Sequence, residues 1–137
     1  MKKILIPIDG SENSLKALRK AREIADLTQG KLTILHVTPI PTNYLTGYEV
    51  RTPSPNLEPG KAMLKAIKNK FRDFKGEIET IQLIGDASNE IIKIAEKDDY
   101  DLVVMGSRGL GTFSRAILGS VSNKVVNHIK KSVLIVK

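Results

Sequence analysis

The sequence contains no cysteine, few aromatic residues and no long hydrophobic run. Because cysteine is absent, the chain has neither a disulfide framework nor a thiolate metal site. The first apolar run, residues 4–8, is short and is followed by Asp9, so neither a signal peptide nor a membrane span is expected. At 137 residues, the chain is predicted to form a single domain over residues 1–137 that is soluble and cytoplasmic.

Acidic residues are missing from Leu102 to Lys137, although the whole chain carries 15 of them against 22 basic residues. The formal net charge of +7 suits an anionic partner. No aromatic stacking motif accompanies the charge, and the lysines are spread over several elements, so nucleic acid is disfavoured as that partner. The acid-free C-terminal part of the chain favours a polyanionic ligand instead.

Short apolar runs alternate with amphipathic segments along the chain. Residues 3–8, 31–37, 101–105 and 132–136 are short and mostly apolar, which is typical of strands within a parallel sheet. Residues 77–84 alternate polar and apolar side chains, so this strand is expected at a sheet edge. Five strands alternating with helices predict a doubly wound α/β fold.

The helices are predicted from capping residues and apolar spacing. Ser11 is the expected N-cap of the first helix, and Gly30 is its expected end. Pro59 fits the first turn of the second helix, which is expected to continue to Gly76. The apolar stripe of that second helix is predicted to consist of Met63, Ala66, Ile67, the aliphatic stem of Lys70, Phe71 and Phe74.

Residues 38–59 hold five of the six prolines and show no periodicity. Proline at this density disfavours both a helix and a central strand, so a long surface loop is predicted. Two interpretations stay open for Tyr44 and Tyr48 within it. They form a lid over a bound base, or they are two exposed aromatic residues of a loop.

A glycine-rich stretch follows the fourth strand and precedes the last helix, which is the order that a phosphate site requires. Ser120 and Ser122 begin that helix, where unpaired N–H groups and the helix dipole favour an anion. These residues also fit ordinary roles, the glycines as turn residues and the serines as helix caps. Four glycines are expected to permit left-handed backbone and the close approach of a ligand: Gly106, Gly109, Gly111 and Gly119.

Three stretches carry a resemblance to a known family. The spacing Gly106-x2-Gly109-x9-Gly119-Ser120 is similar to the nucleotide-binding pattern of the universal stress protein family. Residues 6–12 and 132–136 resemble that family's opening strand with its turn and its closing strand, so the likeness covers nearly the whole chain. It implies a Rossmann-like fold of the adenine nucleotide alpha hydrolase-like type, a five-stranded parallel sheet in the order 3-2-1-4-5 with helices on both faces.

The resemblance also implies a site for ATP where the first and fourth strands end. Main-chain N–H groups and hydroxyls of the glycine stretch are expected to hold the phosphates, with Asp9 and the backbone of Val37 beside the nucleoside. Asp9 equally fits a turn-initiating role, and Arg108 equally fits a solvent-facing one. The residues that the resemblance implies at the nucleotide are Pro7, Asp9, Val37, Met105, Gly106, Arg108, Gly109, Gly119, Ser120, Val121 and Ser122.

The function implied by the resemblance is that of an ATP-binding regulatory or sensor protein of the stress response. The glycine stretch lacks the Gly-Lys-Ser/Thr ending of a P-loop and holds no carboxylate to position a water. A binder is therefore favoured over an efficient hydrolase, with Mg²⁺ or Mn²⁺ held by the phosphates. A slow ATPase on the same site and a nucleotide-free interaction or chaperone-like protein are the alternatives. His36 and His128 form no constellation with a nucleophile and are assigned no catalytic role.

The last strand, residues 132–136, is expected to present an apolar edge with nothing to cover it. Universal stress proteins commonly pair their terminal strands across a two-fold axis, so the resemblance implies a homodimer through this strand. The alternative is a monomer whose edge is protected by Lys131 and Lys137. Lys131-Ser132 departs from the proline-containing pair that is usual in the family before this strand.

Overall fold

The computed structural model describes residues 2–40, 54–108 and 118–137, in which strands and helices alternate. None of the helices in these ranges is long and apolar enough to cross a membrane. Tyr44, Tyr48, Gly109 and Gly111 lie outside the described residues, as does most of the loop predicted over 38–59. The strands are β1 (Lys3–Ile8), β2 (Lys31–Thr38), β3 (Ile78–Ile84), β4 (Leu102–Gly106) and β5 (Ser132–Val136). The helices are α1 (Glu12–Thr28), α2 (Glu58–Lys70), α3 (Ala87–Lys97) and α4 (Ser120–His128).

The five strands form one parallel sheet in the order β3-β2-β1-β4-β5. This order confirms the predicted topology and places β3 at an edge, as its alternating pattern indicates. β1 lies at the centre, where Ile4 is opposite both Leu32 of β2 and Leu102 of β4. The winding direction reverses between β1 and β4, and this reversal leaves a crevice at the carboxyl ends of these two strands.

Helices cover both faces of the sheet, which confirms the doubly wound fold. Successive side chains of a strand point to opposite faces, so Ile4 and Leu5 belong to different layers of the core. On the Ile4 face, α1 and α2 bury residues such as Leu18 and Leu64. On the Leu5 face, α3 and α4 bury residues that include Val125, which is fully buried.

The first helix begins where the sequence predicts, and it ends one residue before the predicted Gly30. The Ser11 hydroxyl accepts a hydrogen bond of 3.2 Å from the backbone N–H of Ser14, which confirms Ser11 as the N-cap. The left-handed residue that ends α1 is Gln29, with φ of 56°, and not Gly30. Gly30 follows this turn, and its N–H bonds back to the Ala25 carbonyl at 3.0 Å.

The second helix is shorter than predicted, and most of its predicted apolar stripe packs against the core, where Ile67 is buried and Met63 is partly buried. It ends at Lys70, and the chain then turns rather than continuing to Gly76. Leu64 is buried against the sheet, whereas Ala66, predicted in the apolar stripe, is exposed. Gly76 serves packing rather than helix termination, because the ring of Phe74 occupies the space where a Cβ of residue 76 would lie.

Candidate functional site

A pocket of about 210 Å³ opens where β1 and β4 end side by side. Every described residue that the family resemblance implies at the nucleotide lines this pocket. The remaining one, Gly109, lies outside the described residues. The binding role of each residue stays a prediction, but the structure brings these distant stretches of sequence to one place. The predicted residues in the lining are Pro7, Asp9, Val37, Met105, Gly106, Arg108, Gly119, Ser120, Val121 and Ser122.

Part of the pocket wall is apolar, and it joins predicted residues to residues that the sequence did not indicate. Leu35 and Val37 lie two residues apart on β2 and therefore face the same side of the sheet, beside Met105 of β4. Ile91 of α3 closes this wall. Such a surface suits a flat, largely apolar group at one end of a ligand. The unpredicted lining residues are Ile8, Ser14, Leu35, Ala87 and Ile91.

Gly106 is required by the packing of the protein itself. A Cβ on this residue would lie 2.7 Å from the backbone carbon of Asn13 and 2.8 Å from its oxygen, so the start of α1 packs directly on the end of β4. The expectation of left-handed backbone is wrong here, because the described glycines with positive φ are Gly10 and Gly85. Gly119 is extended, with φ of −60° and ψ of 159°.

Hydrogen bonds tie the start of α4 to the end of β4. The buried Ser122 hydroxyl donates to the carbonyl of Gly106 at 2.7 Å. The Gly119 N–H donates to the carbonyl of Ser107 at 2.7 Å, and the Ser107 N–H donates to Val136 at 2.9 Å. The Ser122 hydroxyl proton is therefore engaged within the protein, and the contribution of Ser122 to phosphate binding stays a prediction.

The electrostatics of the pocket favour an anion near α4. The N–H groups in the first turn of a helix have no intrahelical acceptor, and they carry the positive end of the helix dipole. At α4 the N-cap is Gly119, which makes no side-chain capping bond, and the first turn contains no acidic residue. Half-buried Arg108 lines the same pocket and adds a positive charge. This end of the pocket can therefore hold phosphate oxygens.

Asp9 lies at the pocket rim and also shapes the turn after β1. Its Oδ1 accepts a hydrogen bond of 2.8 Å from the backbone N–H of Ser11, as expected of an aspartate that initiates a turn. The side chain is nevertheless exposed and lines the pocket. The turn sets the orientation of the carboxylate towards the pocket, so the two interpretations of Asp9 are compatible.

The histidines lie outside the pocket lining. The His36 side chain points to the face of the sheet opposite Val37 and packs against Gly60. The pKa of His36 is lowered by burial, and the charge of Asp9 offsets part of this shift. Nδ1 of His128 lies 2.7 Å from the carbonyl oxygen of Lys124 within α4. Within the ranges that the structure describes, no group of three or more His, Cys, Asp or Glu side chains is arranged to hold a metal ion.

The chain is similar over its full length to proteins of one family. The model described as "Universal stress protein family" matches residues 1–137. A universal stress protein of Methanocaldococcus jannaschii is 35% identical, with 99% of this chain and 82% of the relative covered. The universal stress protein YxiE of Bacillus subtilis is 36% identical, with 98% of each chain covered. A solved universal stress protein in complex with cAMP is 26% identical with a TM-score of 0.75, covering 99% of this chain and 97% of that one.

Proposed function

Because the chain belongs to the universal stress protein family, we propose that it binds ATP and acts as a nucleotide-dependent regulatory or sensor protein in the stress response of the cytoplasm. The single observation that carries this proposal is the meeting of Asp9, Gly106 and Ser120 around one pocket. The relative solved in complex with cAMP supports an adenine nucleotide as the ligand. ATP is the member of that class whose charge best fits the acid-free start of α4.

The pocket has an apolar end and a polar end, and these match the two ends of a nucleotide. The base lies against Leu35, Val37 and Ile91, which form the apolar wall. The carboxylate of Asp9 accepts hydrogen bonds from donors of the nucleoside. The phosphates lie at the start of α4, where the backbone N–H groups of the first turn and the Arg108 guanidinium are available. Gly109 is the remaining glycine of the spacing Gly106-x2-Gly109-x9-Gly119, and we assign it to the phosphates on that spacing.

The pocket is better suited to binding ATP than to hydrolysing it. From Leu102 onwards the chain has no carboxylate that would position an attacking water or anchor a metal ion beside the phosphates. A Mg²⁺ or Mn²⁺ ion would therefore be held mainly by the phosphate oxygens, and its charge would neutralise part of theirs. We propose a binding protein whose ATP turnover, if measured as phosphate release over hours, stays close to the rate without protein.

The same proposal includes a homodimer through β5. This strand pairs with β4 on one side, and no described strand pairs with its other side. Val133, Leu134 and Ile135 are each only partly buried, so the edge offers apolar surface as well as main-chain groups. Sedimentation equilibrium at micromolar concentration is expected to give a dimer. A monomer under these conditions would remove this part of the proposal.

Calorimetry with ATP, ADP and AMP tests the nucleotide site. The wild-type chain is expected to bind ATP, and the Gly119→Val variant is expected to lose that binding. The reason is steric, because the branched side chain would stand at the N-cap of α4 in the path of the phosphates. Ala62→Val is the matched control, since it adds similar bulk on the exposed side of α2.

The results separate the candidate functions. Wild-type affinity in Gly119→Val would contradict the assignment of the phosphates to the start of α4. Failure of all three nucleotides to bind the wild-type chain would leave an interaction or chaperone-like role. ATP binding with phosphate release that disappears in Gly119→Val would instead favour the slow ATPase.

A further inference from the structure

A second surface, separate from the nucleotide pocket, lies between α2 and the outer edge of β3. It is a groove of about 370 Å³ that shares no lining residue with the nucleotide pocket. The side-chain amide of Gln82 donates to the Leu57 carbonyl at 3.0 Å and so places the start of α2 beside Gln82 of β3. Residues 61–69 of α2 that line the groove lie opposite Thr80 and Gln82 of β3. The groove is lined by Lys61, Leu64, Lys65, Lys68, Asn69, Thr80 and Gln82.

The groove carries a row of positive charge that is largely uncompensated. Lys61, Lys65 and Lys68 recur at intervals of four and three residues and line the same side of α2. Lys61 lies 3.6 Å from Glu58, and both side chains are well exposed, so this ion pair is weak. Within the described ranges, Lys65 and Lys68 have no ion-pair partner. The residues between 60 and 76 include six basic side chains and one acidic one.

The acidic residues in and just before β3 do not neutralise this row. Glu77 and Glu79 both contact the ammonium group of Lys31, each at 3.1 Å. These contacts raise the pKa of Lys31, chiefly through the hydrogen bond to Glu77. Because side chains alternate along a strand, Glu79 also points to the face opposite Thr80. These two acids therefore pair with Lys31 of β2 and not with the lysines of α2.

The edge of β3 supplies main-chain groups next to the lysines. β3 pairs with β2 on one side, and no strand within the described ranges pairs with its other side. Such an edge can accept an additional strand, which is a common mode of peptide recognition. Lysines beside the edge attract acidic partners and repel basic ones, so the surface selects by charge as well as by shape.

The spacing of Lys61 and Lys65 is close to the spacing of alternate side chains on an added strand, and that of Lys65 and Lys68 is shorter. A helix rises about 1.5 Å per residue, so Lys61 and Lys65 are separated by about 6 Å along the helix axis, and Lys65 and Lys68 by about 4.5 Å. Alternate side chains of a strand, which share one face, are separated by about 6.7 Å. A strand with an acidic residue at every second position can thus place successive carboxylates near successive lysines. None of the lining residues is aromatic, so the groove offers no stacking surface to single-stranded nucleic acid.

We propose that this groove binds an extended acidic segment of a partner protein, which adds as a strand to the outer edge of β3. Main-chain hydrogen bonds to β3 provide the general affinity. Carboxylates at alternate positions pair with Lys61, Lys65 and Lys68, and they determine which segments bind. The groove and the nucleotide pocket share no lining residue. Failure of peptide binding and failure of nucleotide binding can therefore be told apart.

Nuclear magnetic resonance titration of the full-length ¹⁵N-labelled chain tests the proposal with a capped peptide that alternates glutamate and valine. Backbone amide signals of β3, including those of Thr80 and Gln82, are expected to shift in a saturable way. The Lys65→Glu, Lys68→Glu double variant is expected to bind at least about tenfold more weakly. The matched control is Lys16→Glu, Lys97→Glu, which makes the same change in net charge at exposed positions outside the groove.

Two further peptides separate strand addition from simple charge attraction. One has the same composition with its glutamates in a block, and the other alternates lysine and valine. Both are expected to bind at least about tenfold more weakly than the alternating acidic peptide. The proposal would be overturned if the block peptide bound equally well or if the control variant weakened binding equally. It would also be overturned by an absence of shifts in β3 up to millimolar peptide, or by tighter binding of a short single-stranded RNA. Unchanged thermal midpoints show that the variants remain folded.

Discussion

The hydroxyl of Ser122 donates a hydrogen bond of 2.7 Å to the carbonyl of Gly106, and this bond joins the first turn of α4 to the last residue of β4. Both ends of the bond lie within the wall of the pocket at the ends of β1 and β4. The position of α4, and with it the placement of the N–H groups proposed to hold phosphate, therefore depends on a contact inside the protein. The serine has a structural role in a region where a ligand contact was expected.

Ser122→Ala is expected to lower the free energy of unfolding by about 1–2 kcal/mol, because it leaves a buried carbonyl without this donor. Urea denaturation followed by circular dichroism measures the change. Ser120→Ala is the matched control, since Ser120 is exposed at the start of the same helix. Equal stability of Ser122→Ala and wild type would mean that the bond does not hold α4 in place. Ser122→Ala is also expected to weaken ATP binding, but by less than Gly119→Val does.

The fold was predictable because its signals are local and repeated. Four strands are short, mostly apolar runs, and the alternation in 77–84 indicates that β3 lies at an edge. The meeting of Asp9 with Gly106 follows from the strand order that the family resemblance implies. Gly85-Asp86 likewise precedes a helix for a local reason, since Asp86 caps α3 by accepting the N–H of Asn89 at 3.1 Å.

The remaining features depend on how elements meet, which no local pattern encodes. Leu35 and Ile91 appear in the sequence as core residues, and only the crossing of α3 over β2 makes them a pocket wall. The reason for Gly106 is the approach of Asn13, more than ninety positions earlier in the chain.

Asp101 links the amino terminus to β4 through hydrogen bonds that lower its pKa. Its Oδ2 accepts the backbone N–H groups of Lys3 at 2.9 Å and Lys2 at 2.8 Å, and these bonds hold the pKa below the ordinary value of 3.8. Because the folded state favours the charged form, the stabilisation is present at neutral pH. It is lost as the pH falls below 3.8 towards the lowered pKa.

Asp101→Asn is therefore expected to have a lower thermal midpoint than wild type at pH 7, and the difference is expected to shrink below pH 3.8. Differential scanning calorimetry over this pH range measures both midpoints. Asp99→Asn provides the control, because Asp99 is exposed two residues away. A difference between wild type and Asp101→Asn that stays constant from neutral to acidic pH would show that the charge of Asp101 does not stabilise the fold.

His36 is expected to make the fold sensitive to mild acid. Burial lowers its pKa below 6.5, and Nδ1 is buried without a hydrogen-bond partner in the part of the chain that the structure describes. Below pH 6.5 the unfolded chain takes up a proton that the folded chain resists, so stability falls as the pH falls. Asp9, whose charge raises this pKa, limits the effect without reversing it.

The comparison of His36→Gln with wild type isolates this effect. Between about pH 7.5 and pH 5.5, the urea midpoint of wild type is expected to fall more steeply than that of the variant, because the variant lacks the titrating group. His128→Gln is the control, as His128 is exposed on α4. If His36→Gln retains the full slope of wild type, the acid sensitivity has another source.

Two leucines test whether α2 is packed on the sheet as the structure shows. Leu64 is 7% exposed and lies among the core residues of the Ile4 face, whereas Leu27 is 86% exposed near the end of α1. Leu64→Ala is expected to lower the free energy of unfolding by about 2–4 kcal/mol, since it removes buried methyl groups and leaves a cavity. Leu27→Ala is expected to change it by less than about 0.5 kcal/mol. Urea denaturation measures the free energy of unfolding of both variants. An equally small loss in Leu64→Ala and Leu27→Ala would mean that Leu64 is not in the core and that α2 turns a different side towards the sheet.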